Sequence, residues 1–83
     1  MIELKETIKL MQSEDYKERF VAEYYQTKIR YNKLHEMIVK YEAGKLDFKP
    51  CCTLTLLKQQ AAAMGNYLFT LEVRAQIEEI KLK

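Results

Sequence analysis

From Asp15 to Gly44 the chain sets Phe20, Tyr24, Thr27, Tyr31, Leu34, Ile38 and Tyr41 at steps of three and four residues. That rhythm places them on one stripe of a helix, the seam of a helix that packs lengthwise against another. Ser13 and Asp15 are N-cap types ahead of the stripe, and Gly44 behind it suits a left-handed stop. The pattern therefore predicts a helix over residues 14–43. Lys45 to Cys52 has no helical period and contains Pro50, so it reads as a hinge, with Leu46 and Phe48 folding back over the hairpin end. Beyond it, Leu57, Ala61, Met64, Leu68, Leu71 and Ala75 form a second stripe and predict a helix over residues 53–79, capped by Cys52 or Thr53. Residues 1–12, with Ile2, Leu4, Ile8 and Met11, predict a short helical arm.

If the two helices run antiparallel about the hinge, facing residue numbers sum to roughly 97. Leu34 then faces Met64, Tyr31 faces Tyr67, and Glu23 faces Arg74, so the polar exceptions of the two stripes meet. The fold expected is all-α: one domain, an antiparallel two-helix hairpin with a short N-terminal helical arm. Further apolar stripes lie on the far sides of both helices. They are Phe69, Val73, Ile77 and Ile80 with Ala62 on the second, and Val21, Tyr25, Ile29 and Val39 on the first. A lone hairpin leaves both in water, and contiguous apolar patches mark interfaces. A homo-oligomeric bundle is expected, with the arm folding over one stripe as the alternative.

Composition narrows this picture. An 83-residue chain buries little core and needs good packing, a staple or partner chains. Cys51 and Cys52 are adjacent, a poor geometry for a bridge, and no signal-peptide pattern is present, which points to a reducing cytoplasm. No apolar run approaches the roughly 20 residues of a membrane span. A net charge of +2, with acids interleaved among the bases, argues against nucleic-acid binding.

Candidate chemistry is sparse. Glu23 and Arg74, with Arg19 one turn away, form either a register-fixing ion pair or, with Arg30, part of a cationic pocket for phosphate. Tyr16, Tyr31 and Tyr41 fall on the seam as core residues with hydroxyls at its edge. Tyr24, beside Lys17, Lys28 and His35, is either an aromatic platform for a base and its phosphate or plain helix surface. His35 reads as a solvated side chain, and a zinc site built from it with Cys51 and Cys52 lacks a fourth ligand. Ser13 has no base nearby, and there is no glycine-rich phosphate loop. A protein without catalysis or cofactor is expected. Ala61-Ala62-Ala63-Met64-Gly65 allows close helix packing, or a crevice beside Asn66.

The strings DYKERF, EYYQTKIRYNKLHEMIVKYEAG, LDFKP and LLKQQAAAMGNYLFTLEVRAQIE resemble the small helical-hairpin family of crAss-like phages and gut-bacterial prophages. The resemblance runs from Asp15 to Ile80 and rests on Tyr16, Arg19, Glu23, Lys33-Leu34, Leu56-Leu57, Gln60, Met64, Tyr67, Leu71 and Arg74. It implies a phage or prophage setting and the host bacterial cytoplasm. At the level of architecture the chain is similar to the phage anti-CBASS sponges, oligomers that sequester cyclic nucleotide immune signals. Fold likeness of that kind is an analogy. It implies a counter-defence protein that binds a small anionic ligand, with Arg19 and Arg74 holding phosphate, Tyr16 stacking on a base, and Lys28 completing the contacts. The alternative is an adaptor whose apolar stripes bind a host or phage protein.

Overall fold

A computed structural model describes residues 2–82, so of the expected arm only Met1 lies outside the described residues. One 3-10 turn, Leu4–Glu6, runs into the short helix α1, Thr7–Met11. Helix α2 spans Tyr16–Glu42 and α3 spans Leu54–Glu78, with no strand among the described residues.

Local chemistry sets each boundary. Asp15 caps α2 by accepting from the Lys17 amide at 2.9 Å, while Ser13 supports the cap by accepting from the Asp15 amide at 3.0 Å. At the other end Gly44 takes φ 71°, its amide reaches the Tyr41 carbonyl, and the Lys45 amide reaches that of Lys40. This is a Schellman stop. Thr53 caps α3 by accepting from the Leu56 amide at 3.2 Å. The exit of α3 repeats the Schellman closure without a glycine. Glu79 adopts φ 57°, and the Ile80 amide donates to the Ala75 carbonyl at 2.9 Å.

Helix α2 is the middle element, with α3 against one face and the arm against the opposite one. Phe20 and Tyr24 of α2 meet Leu68, Leu71 and Ala75 of α3, and Tyr25 and Ile80 join the same buried cluster. The hairpin register falls where the stripes place it: Tyr16 meets Glu78, Tyr24 meets Glu72, and Gly65 lies over Tyr31.

The arm covers part of α2's second stripe. Thr7 is fully buried, donates to the Leu4 carbonyl at 2.6 Å and accepts from Gln26 Nε2 at 3.0 Å. Ala22 and Tyr25 are buried on this side, whereas Val39, beyond the arm's reach, stays exposed. On α3 the second stripe divides. Ile80 turns inward after the Glu79 bend, and Phe69, Val73 and Ile77 remain exposed. Burial is concentrated at the base of the hairpin, and towards the hinge only Ile38 is buried among the described residues. Leu46 is half-buried there, but Phe48 does not close the end as expected and stands 56% exposed.

Candidate functional site

At the base of the hairpin Tyr16, Arg19, Phe20 and Glu23 of α2, Arg74 of α3 and Met11 of the arm line one recess of about 350 Å³. The first turns of α2 supply its wall because residues three and four apart share a helix face. Arg74 crosses from α3 and lies with its guanidinium carbon 5.0 Å from the centre of the Phe20 ring. Its Nε donates to Glu78 Oε2 at 3.1 Å and its Nη2 donates to the Tyr16 hydroxyl at 2.6 Å. That hydroxyl donates in turn to Glu78 Oε1 at 2.9 Å, closing a ring of three side chains. The Tyr16 phenol is pushed above its usual range, first by the hydrogen bond to Glu78. Arg74 is held more firmly protonated, again chiefly by Glu78, with Glu23 a smaller contributor at longer range.

The expected Glu23–Arg74 ion pair is therefore replaced. Glu78, one turn on from Arg74 in the same helix, reaches its Nε without bridging the gap between helices. Glu23 lines the recess instead. Arg19 also points there, anchored by Nη1 donating to the Ser13 carbonyl at 2.8 Å. Tyr16, Arg19 and Arg74 are thus brought together. Lys28 is not: it follows Arg19 by two and a half turns, which sets it about 13 Å along the helix and on its other side. Arg30, about three turns beyond Arg19, is similarly remote.

The tyrosines exchange the roles expected of them. Tyr24 is buried rather than a surface platform, and its hydroxyl donates to Glu72 Oε2 at 2.6 Å. Burial, and then this bond, push its pKa well above the usual phenol range. Tyr25, expected on a stripe facing outward, packs edge-on to Tyr24 under the arm. Tyr16 and Tyr41, read as core, are exposed, and Tyr31 stacks on His35 at 5.9 Å. Sequence reasoning missed Glu78, Phe20 and Met11 as members of the site. The four-residue spacing of Arg74 and Glu78 was the available signal for the first of these.

No helix among the described residues is long and apolar enough to cross a membrane. Neither the curated proteins nor the solved structures contain a match to this chain. The Sequestin family matches residues 14–77, a span that holds α2, the hinge and all of α3 but its last residue. The chain belongs to the Sequestin family.

Proposed function

We propose that this protein binds and sequesters a small anionic ligand without transforming it, as a phage or prophage counter-defence protein whose target is a nucleotide immune signal. Cyclic nucleotides are the first candidates. The observation that carries this reading is the convergence of Arg19, Arg74 and Tyr16, from two helices, on one recess. The family's name, which denotes sequestration, agrees with it. Arg74 keeps Nη1, and Arg19 keeps Nε and Nη2, outside the hydrogen bonds described above. A phosphate competing with Glu78 would engage Arg74 in bidentate fashion. Met11 and Phe20 offer an apolar floor, and the exposed Tyr16 ring offers a stacking surface for a base.

A ligand at a hundred times its Kd stabilises the folded chain by about 2.7 kcal/mol. For a domain of this size that is a Tm rise on the order of 10 °C. Cyclic di- and trinucleotides should produce such a rise and be recovered intact, by mass spectrometry, after the protein is denatured. Arg74→Met should abolish the shift and leave the helicity in place, because Arg74 and Glu78 form a solvent-exposed pair, and such pairs add little to stability. A panel of nucleotides without any shift would sink the proposal. Recovery of a protein partner in that case would favour the adaptor reading, to which the exposed apolar residues of α3 give some support.

A further inference from the structure

The outward face of α3 carries Gln59, Ala62, Asn66, Phe69, Val73 and Ile77 at steps of three and four residues, all of them exposed. It lies opposite the stripe that packs on α2, and no charged side chain falls on it. Lys58 and Glu72 border it on one margin and Arg74 on the other. Phe69 and Ile77, 67% and 75% exposed, are more open to water than the other large apolar residues of the helix. This is a second heptad seam, and among the described residues nothing packs against it.

We propose that this seam pairs antiparallel with the same seam of a second copy of the chain, about a two-fold axis passing near Asn66. A two-fold contact must be self-complementary, and here side-chain size and charge are both distributed to suit it. Phe69 enters the hollow left by the partner's Ala62 and Ala63. Val73 packs across the partner's Gln59, and Ile77 across the partner's Thr55. On one margin Lys58, which pairs with Glu42 of its own chain, stands level with the partner's Glu72, whose Oε2 is taken by Tyr24; the two charges are complementary across the axis, and the symmetry repeats each contact. Asn66 meets its own copy through side-chain amides that can both donate and accept. A parallel pairing would set Phe69 against Phe69, leave the alanines facing each other across a void, and carry Lys58 to the margin opposite the partner's Glu72.

The surface available fits this occupant. The chain exposes 6325 Å², whereas a compact 9.9 kDa protein exposes about 5,200 Å². The excess, on the order of 1,000 Å², is comparable to the ~800 Å² that each partner gives to an interface of standard size. The radius of gyration, 14.9 Å against about 12 Å for a compact chain of this length, tells the same story of an elongated protomer. The ligand recess lies beyond the Arg74 margin of the seam, and neither proposal rests on the other.

Light scattering on the full chain at micromolar concentration should give a dimer. Phe69→Glu should give a monomer of unchanged helicity, since Phe69 makes no part of the protomer core. Register and direction are tested in a background with Cys51 and Cys52 replaced by Ser. Mixed Gln59→Cys and Val73→Cys chains should form a disulfide on mild oxidation, and Val73→Cys alone should not. A monomeric wild-type chain, a dimer indifferent to Phe69→Glu, or ready cross-linking of Val73→Cys to itself would each overturn the proposal.

Discussion

Tyr24 buries an aromatic ring in the core and spends its one polar atom on Glu72, 2.6 Å away on the neighbouring helix. A net hydrogen bond of this kind contributes about 1 kcal/mol, so Tyr24→Phe should lower the unfolding free energy by roughly that amount in urea titrations. The same bond makes stability depend on alkaline pH. Folding raises the Tyr24 pKa, by burial first and Glu72 second. The folded chain therefore keeps this proton after the unfolded chain has begun to lose it near pH 10. The contribution is complete below that point and falls away as pH rises towards the folded value. Tyr24→Phe should flatten the decline in stability measured above pH 10. Periodicity placed Tyr24 on the packing stripe, but it could not rank the tyrosines by burial. Tyr16 and Tyr41 satisfy the same spacing and sit in the first and last turns of α2, where their rings stay exposed. Glu23 and Arg74 teach a similar point. The pairing brought them to one recess, yet the choice between Glu23 and Glu78 was decided by side-chain reach, which spacing does not encode.

The long helices were readable because their ends are written in local chemistry. Asp15, Gly44 and Thr53 each perform the capping role their residue types suggest, and the observed boundaries fall within two residues of those expected. Two positions work against α3, one inside it and one just past its end. Gly65 sits inside α3, where an added methyl would meet Tyr31 Cε1 at 3.7 Å, an ordinary contact. Gly65→Ala should therefore stabilise the chain by about 1 kcal/mol, the usual helix preference for alanine, read as a rise in Tm. If a ligand needs the bare backbone at this point, the same variant would bind less well. Glu79 holds a left-handed conformation that glycine adopts at lower cost. Glu79→Gly should add on the order of 0.5–1 kcal/mol, because relief of the left-handed strain outweighs the freer unfolded chain, and thermal unfolding should show a higher Tm. The docking of the arm was legible only as an alternative. Thr7 and Gln26 are unremarkable in sequence and acquire their roles through contact across the helices.

The whole molecule is a 43 × 25 × 19 Å prism with a well-packed base and a thinner outer half. All-α class, hairpin topology and register followed from two periodic stripes and one hinge. The unequal packing did not, because the pattern is as regular near Ile38 and Met64 as near Phe20 and Leu71. What differs is the supply of a third layer. The arm flanks the base, and Ile80 and Leu82 fold inward there as well. Ile2 and Leu10 from the arm and Lys81 from the tail line one cleft beside Val21. The two extremities of the described chain thus lie side by side, while the hinge at the opposite end is exposed through most of Lys45 to Cys52. Such an arrangement suits a change of connectivity. A circular permutant of this 83-residue chain, joined by a short flexible linker and reopened between Lys49 and Pro50, should keep its far-ultraviolet dichroism and melt cooperatively. The order in which α2 and α3 are synthesised would then be reversed with the same core retained, so the base of the hairpin, rather than the hinge, is what specifies the fold.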